Sequence, residues 1–202
     1  MMKNTKQPYH KYVFDIEKRK FVGKFEEMYQ GESIEGYDSW FQEDLTKLDK
    51  QLSITMLGKY NFDRILDIGC GKGSFTSLLK KANNYVMGID ISETAIAKAK
   101  AKYPAIDFRK FDVSQLSDLV GEHFDLIVAM EILSYLKDWR DVVRAISKIT
   151  KYFYLTLYIP DNPIGFVESF NELIAEISKY FEIEIELLLD REKILLLTRV
   201  KE

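Results

Sequence analysis

The sequence predicts one α/β domain built on a doubly wound, mostly parallel sheet, and three observations support this fold class. Short apolar runs alternate with helical stretches from about residue 60 to residue 160. These runs are continuously apolar, as expected for strands covered on both faces. The last two predicted strands follow one another closely, which is typical of an antiparallel hairpin. We therefore expect a seven-stranded sheet that ends in an antiparallel C-terminal hairpin, preceded by a helical N-terminal extension.

The elements can be assigned in chain order. Ser39 and Gln42 stand at capping-box spacing and predict a helix that ends near Gly58. Its apolar face comprises Phe41, Leu45, Leu48, Leu52 and Met56. Strand and helix then alternate through FDRILDIG, SFTSLLKKAN, YVMGID, ETAIAKAKAKY, DFRKF, FDLIVAM, WRDVVRAISKI and YFYLTLYI. Ser92 is expected to cap the second of these helices.

The C-terminal part has its own pattern. Asn162-Pro163 is expected to start a helix, because proline is favourable at a first helical position. The strands FEIEIELLL and KILLLTRV follow, joined by a tight turn at residues 190–192. We expect residues 1–36 to form an N-terminal extension and candidate substrate lid, and residues 37–202 to form the main domain.

Composition narrows the class of protein. The 202 residues carry a net charge of −3, which gives no footprint for a long phosphate backbone. No apolar run is long enough to cross a bilayer, and the polar N-terminus lacks a signal-peptide core. One cysteine, Cys70, excludes an intrachain disulfide. We expect a cytoplasmic monomer or homodimer with a small-molecule partner, and neither nucleic acid nor membrane.

The stretch ILDIGCGKGSF sets a glycine-rich turn at the end of the first buried strand. Ligands of doubly wound sheets bind at the carboxyl ends of strands. Asp67, two residues before the turn, suits a ligand with an ammonium group, and Ser74 replaces the third glycine of a dinucleotide fingerprint. Asp90, at the end of the second strand, can accept from both hydroxyls of a ribose. An amine, a ribose and no phosphate describe S-adenosylmethionine.

DIGCGKGSF, GIDIS, FDVSQL and FDLIVAMEILSYL, in this order and each at a strand end, resemble the motifs of class I S-adenosylmethionine-dependent methyltransferases. The resemblance implies a Rossmann-like fold and methyltransferase activity with S-adenosylmethionine as cofactor and S-adenosylhomocysteine as product. It also implies a set of cofactor-binding residues: Asp67, Gly69, Cys70, Gly71, Gly73, Asp90, Ile91, Asp112, Val113 and Met130. Lys72 is expected to point to solvent and Cys70 to pack within the turn.

On the acceptor side, Glu131 is the best candidate for a general base by its position. An equal alternative is that its carboxylate only makes a hydrogen bond to the cofactor or to the backbone. Five residues are expected to meet the substrate: Tyr37, Trp40, Ser134, Tyr135 and Tyr158. Asp161 and Asn162 are further candidates. The aromatic side chains Tyr29, Tyr37 and Trp40 could shield the sulfonium or simply pack the first helix onto the sheet.

The acceptor is expected to be a small molecule. FDLIVAMEILSYLKDW, with EGYDSW before the first helix, is similar to Nod-factor and other amino-sugar N-methyltransferases, so a sugar or amino sugar is the first choice, methylated on nitrogen or oxygen. No N-P-P-Y motif ends the fourth strand, and no His/Cys/Glu cluster has metal-ligand spacing. The alternatives are a protein or RNA methylase, a non-catalytic cofactor-binding module, and a nicotinamide-dependent oxidoreductase, against which Asp67 and Ser74 argue.

Overall fold

The computed structural model describes residues 7–119 and 121–201. The N-terminal part contains short elements: α1 His10–Val13, β1 Phe14–Asp15, β2 Lys20–Phe21, α2 Phe25–Glu35, a 3-10 turn Ser39–Phe41 and α3 Leu48–Leu57. The central part alternates strands and helices: β3 Arg64–Ile68, α4 Ser74–Leu79, β4 Tyr85–Asp90, α5 Glu93–Lys102, β5 Asp107–Lys110, β6 Phe124–Met130, α6 Trp139–Ile149 and β7 Thr150–Tyr158. The chain closes with α7 Phe170–Ile177, β8 Phe181–Leu189 and β9 Lys193–Val200.

The central sheet has seven strands in the order β5-β4-β3-β6-β7-β9-β8. The pairs from β5 to β7 are parallel, whereas β9 pairs antiparallel with both β7 and β8. This arrangement confirms the predicted mostly parallel sheet with a C-terminal hairpin. The strand order reverses between the neighbouring strands β3 and β6, so β3 ends at the switch point at which such sheets bind ligands, and β4 ends next to it.

Two apolar layers cover the sheet, as the continuously apolar strands predict. One layer packs α6 and α7 against alternate strand residues, and the fully buried Trp139 and Phe153 lie in it. The other packs α3, α4 and α5 against the opposite face, with Leu126 and Tyr154 at its centre. Each fully buried side chain of this size contributes roughly 1.5–3 kcal/mol, so the sheet is a stable platform for its carboxyl edge.

The helix predicted from Ser39 onward is wrong in its start, because α3 begins only at Leu48. Trp40 and Phe41 have φ values of 60° and 52°, which do not continue a right-handed helix. The Lys50 ammonium binds the carbonyl oxygens of Phe41, Gln42 and Asp44, which an α-helix would use internally. The stretch before α3 therefore contains only the 3-10 turn Ser39–Phe41, followed by irregular residues 42–47.

The helix start predicted at Asn162-Pro163 is also wrong, since α7 begins at Phe170. The side chain of Arg19 donates to Asn162 Oδ1 at 2.6 Å and to the carbonyl oxygen of Pro163 at 3.1 Å, which holds this segment as a loop. Ser169 caps the helix instead, by accepting a hydrogen bond from the N–H of Glu172. The predicted cap of α5 by Ser92 is confirmed.

Residues 9–43 form a cap that lies over the carboxyl edge of the sheet. Their buried apolar residues are Tyr9, Val13, Met28 and Tyr29, which cluster with Ala95 of α5. Within the described residues, no helix combines the length and the apolar content that a membrane crossing requires.

Candidate active site

The glycine turn after β3 is closely packed and needs its glycines. Gly69 and Gly71 have φ values of 67° and 54°, a conformation that side chains rarely adopt. A Cβ on Gly71 would lie 2.6 Å from the Tyr29 hydroxyl and would also collide with the side-chain amide of Gln42. The main chain of the turn thus offers its polar groups at close range to whatever lies above it.

Two buried carboxylates flank this turn. Asp67, at the end of β3, accepts a hydrogen bond from Thr76 Oγ1 at 2.6 Å, and burial raises its pKa to about 7. The carboxylate of Asp90, at the end of β4, accepts from the N–H groups of Gly71 and Ser92, both at 2.9 Å. Burial raises the pKa of Asp90 to about 6. Such an edge favours a ligand that brings positive charge and hydroxyl donors.

The neighbouring strand end holds the next group of predicted residues. The N–H of Phe111 donates to the carbonyl oxygen of Asp90, which ties the end of β5 to the end of β4. Asp112 follows directly and accepts a hydrogen bond from the N–H of Ser114. The Val113 side chain points into the core, whereas Ile91 is 51% exposed at the same edge. The structure therefore brings these residues to the same edge as Asp90.

Glu131 lies just after β6 in a left-handed conformation, with φ at 63°. One carboxylate oxygen accepts from Thr156 Oγ1 at 2.8 Å and lies 3.1 Å from Lys193 Nζ, and the other accepts from the N–H of Tyr158 at 2.7 Å. Lys193 also pairs with Asp49 at 2.5 Å. Glu131 is thus fixed by β7 and β9, beside the half-buried Met130.

The predicted acceptor residues separate into two groups. Tyr135 stacks on Trp40 at 5.4 Å between ring centroids, and Phe21 and Phe25 of the cap approach the same ring. Burial raises the pKa of Tyr135. Ser134 lies next to Tyr135, where its carbonyl oxygen accepts from the N–H of Phe166.

Tyr37 joins the same aromatic cluster, because the Tyr9 ring lies 5.8 Å from the Tyr37 ring and 5.0 Å from the Trp40 ring, between centroids. The Tyr37 hydroxyl donates to the carbonyl oxygen of Met28, so its polar end is directed to α2. Tyr158 is 45% exposed at the end of β7, where its N–H bonds Glu131. The structure therefore brings together Tyr37, Trp40, Ser134 and Tyr135, and it places Tyr158 apart from them.

Sequence reasoning missed the polar contacts that hold the cap. Glu26 accepts hydrogen bonds from Ser92 Oγ and Thr94 at the start of α5; burial opposes ionisation, but these bonds lower the pKa of Glu26 to about 2. Glu32 pairs with Lys98 at 2.8 Å and with Lys72 at 3.0 Å. The expectation that Lys72 points to solvent is wrong, because this side chain is 8% exposed.

A signal for these contacts was present in the sequence. Glu26, Tyr29 and Glu32 recur at three-residue intervals, which places them on one face of a helix. Cys70, as expected, packs within the turn and is 8% exposed. Burial raises the pKa of its thiol.

Comparison with known proteins supports the interpretation of this edge. Residues 66–152 match a family described as a methyltransferase domain. Ubiquinone biosynthesis O-methyltransferase of Hahella chejuensis is 28% identical over 92 residues, which cover 44% of this chain and 39% of that protein. The protein of the same name from Methylococcus capsulatus is 32% identical over 92 residues, with coverages of 44% and 39%. The chain thus spans about two fifths of the length of these curated relatives.

Solved structures share the fold over most of the chain. N-methyltransferase NodS from Bradyrhizobium japonicum, in complex with S-adenosylhomocysteine, has a TM-score of 0.69 at 22% identity, covering 86% of this chain and 98% of that one. Magnesium protoporphyrin IX methyltransferase from Synechocystis, with bound S-adenosylhomocysteine, has a TM-score of 0.63 at 17% identity, with coverages of 75% and 81%. Residues 66–152 thus match a methyltransferase domain, and the chain shares the fold of these methyltransferases, with an acid–glycine–acid edge at the carboxyl ends of its strands.

Proposed function

We propose that this protein transfers a methyl group from S-adenosylmethionine to a small molecule. The observation that carries this proposal is the pair of buried acids, Asp67 and Asp90, on either side of a glycine turn at the switch point of the sheet. Because burial raises both pKa values, a cationic ligand with hydroxyl donors would stabilise their charged forms. The two carboxylates therefore fit the amino group and the ribose hydroxyls of this cofactor.

Each residue at the edge has a proposed task in holding the cofactor. Asp67 would accept from the amino group, directly or through water, and the main chain of residues 69–73 would take the methionine carboxylate. Asp90 would accept from the ribose hydroxyls. Ile91 would pack on the adenine, while Asp112 and the N–H of Val113 would meet its polar edge. Met130 would lie beside the methionine moiety.

The cofactor, when bound, supplies a methyl group on a sulfonium with a neutral leaving group. The protein's work is then alignment of the acceptor and exclusion of water. Trp40, Tyr135 and the phenylalanines of the cap offer an apolar roof for this purpose. We propose that the cap, which belongs mostly to the 1–36 extension, acts as the substrate lid of the 37–202 domain.

Glu131 is proposed to orient the acceptor or to accept its proton. Its hydrogen bonds from Thr156 and Tyr158 and its pairing with Lys193 support the orienting role, because they hold the carboxylate in one position. A base at this position is needed only for an acceptor that must lose a proton as it attacks.

A sugar or amino sugar is the first acceptor that we propose, methylated on nitrogen or oxygen. The fold similarity to the N-methyltransferase NodS over 98% of that chain supports it. The second candidate is a flat aromatic acceptor methylated on oxygen. The stacked rings of Trp40 and Tyr135, together with the similarity to ubiquinone biosynthesis O-methyltransferases, favour this alternative.

Calorimetric titration with S-adenosylmethionine and S-adenosylhomocysteine, with NADH as control, tests the proposal. We expect micromolar binding of the first two and none of NADH. Amino sugars and hydroxylated aromatics would then be screened by mass spectrometry for methylated product. Binding of NADH alone would contradict the assignment of the glycine turn, and a protein or RNA product would redirect the choice of acceptor.

A further inference from the structure

Residues 39–42, which we call the plug segment, cover the glycine turn with a side chain from the cap. Gln42 Oε1 accepts the main-chain N–H of Lys72 at 2.8 Å, and Gln42 Nε2 donates to the Tyr29 hydroxyl at 2.7 Å. Tyr29 is 3% exposed and lies against Gly71. The space directly above the turn is therefore filled by an amide and a phenol that belong to the protein itself.

The chemistry of this contact matches the proposed ligand. An amide oxygen that accepts from a main-chain N–H of the turn takes the same position and the same role as a carboxylate oxygen. The methionine carboxylate of the cofactor is proposed to bind these N–H groups. Gln42 and that carboxylate therefore compete for one donor, the N–H of Lys72.

The plug segment is held in an unfavourable conformation. Trp40 and Phe41 both have positive φ values, and each aromatic residue there costs roughly 1–2 kcal/mol. Ser39 is fully buried, and its hydroxyl lacks a hydrogen-bond partner among the residues that the structure describes. Strain at two residues and an unsatisfied hydroxyl at a third concentrate in the four residues that end at Gln42, which is typical of a switch region.

The rest of the cap is fastened separately, so the segment can leave the turn without it. Glu32 accepts the Ser39 N–H at 2.9 Å and pairs with Lys72 and Lys98, and Lys98 also donates to the carbonyl oxygen of Tyr29. These contacts hold α2 on α5. The main chain of Phe41 and Gln42 is bonded to Asp38 and Lys50 on either side of the segment, and these contacts do not tie Gln42 to the glycine turn.

We propose that the plug segment is an autoinhibitory contact, in which Gln42, seated against Tyr29, occupies the cofactor side of the glycine turn and must withdraw before the cofactor binds. This inference rests on the proposed function, because it takes the turn to be the cofactor site. It differs from a lid that closes on a bound cofactor, since the plug opens when the cofactor binds.

Whether the affinity for S-adenosylhomocysteine rises or falls in one variant tests the proposed plug. Gln42→Ala removes both hydrogen bonds of the plug, so S-adenosylhomocysteine should bind at least about threefold more tightly, because less of the protein is held in the closed state. Gln51→Ala is the matched control: its amide bonds the carbonyl oxygen of Leu45, away from the turn, and its affinity should equal the wild type. Thermal unfolding of each variant verifies the fold.

Hydrogen–deuterium exchange gives a second readout. The amides of residues 39–43 should exchange faster when S-adenosylhomocysteine is bound to the wild-type protein, whereas a closing lid would become more protected. Unchanged or weaker binding by Gln42→Ala, or added protection of residues 39–43, would overturn the plug alone. No binding by either the wild type or a folded Gln42→Ala would overturn the proposed function together with the plug.

Discussion

The sheet and the cap are held together by different forces. The sheet is covered on both faces by continuous apolar layers, and its centre is anchored by fully buried Trp139, Phe153 and Leu126. Within the described part of the chain, the apolar contacts of the cap with the main domain are confined to Ala95 of α5 and to an aromatic group around Tyr135 and Phe166. Polar contacts add further connections: Glu26 accepts hydrogen bonds from Ser92 and Thr94, and Glu32 pairs with Lys72 and Lys98.

Because of this difference, we expect the sheet to provide the stability of the domain and the cap to be the layer that moves. Apolar burial over a large area gives a cooperative unit that opens only by global unfolding, whereas a layer attached by ion pairs and hydrogen bonds can open locally. At the carboxyl edge, the side formed by the sheet is therefore rigid, and the side formed by the cap is adjustable. The variants below test each side of this comparison, in order of expected effect.

Asp67→Asn should have the largest effect of these variants. The effect is expected on the stability of the sheet. Burial raises the pKa of Asp67 from 3.8 to about 7, so the folded state holds this proton more strongly than the unfolded state. Its stabilising contribution is complete below about pH 4 and is lost as pH rises through 7. Asn stays neutral, so at pH 8 the variant should be more stable by on the order of 2–4 kcal/mol. Urea unfolding at pH 4 and pH 8 measures the difference, and an equal gain at both values would contradict it.

Glu32→Gln should act on the cap. The change removes one partner of a buried ion pair, for which typical costs are about 3–5 kcal/mol, and Asp38 retains Lys72 and reduces the loss. We expect the cap to open while the sheet keeps its unfolding midpoint. Limited proteolysis should then cut first between residues 24 and 47, and Glu27→Gln on the exposed side of α2 is the control. A fall in the stability of the whole domain would show that cap and sheet form one unit.

Asp90→Ala tests the edge where the two regions meet. The change removes the acceptor for the N–H groups of Gly71 and Ser92 and the proposed acceptor for the ribose. Cofactor affinity should fall by about 1–3 kcal/mol, roughly tenfold to a hundredfold. Calorimetry with S-adenosylhomocysteine measures it. Affinity equal to that of the wild type would rule out the ribose assignment.

Arg19→Ala should have the smallest effect. Arg19 joins the turn between β1 and β2 to the loop at Asn162 and Pro163, but these groups are exposed, and such contacts contribute roughly 1 kcal/mol or less. We expect unchanged global stability and faster amide exchange in residues 14–21. Exchange that matches the wild type would mean that the aromatic contacts of Phe21 alone hold this hairpin.

The same contrast explains what the sequence could predict. The strands β3, β4 and β6 were predictable because their signal is local: an apolar run that ends in an acid or a glycine. The start of α3 was not, because the Lys50 ammonium takes carbonyl oxygens that the apolar spacing assigned to a helix. The start of α7 failed for the same reason, with Arg19 as a partner more than 140 residues away.

The site divides in the same way. The acids and glycines of the edge follow from strand ends, so their convergence could be predicted, and their roles toward the cofactor stay predictions. The burial of Lys72 could not be foreseen, because the spacing of Glu26, Tyr29 and Glu32 indicates a helix face but not which distant charge that face meets. Contacts of the cap depend on which distant charges meet, and periodicity carries no information about that.

The reactivity of Cys70 provides a way to measure how often the layer above the glycine turn opens. It is the single cysteine of the chain, it lies within the glycine turn, and its thiol is buried beside Asp90. A thiol reagent therefore has one place to react and reaches it only when the layer above or the fold itself gives way. The rate at which the reagent modifies this sulfur therefore reports how often the turn opens in the native chain, without any added label.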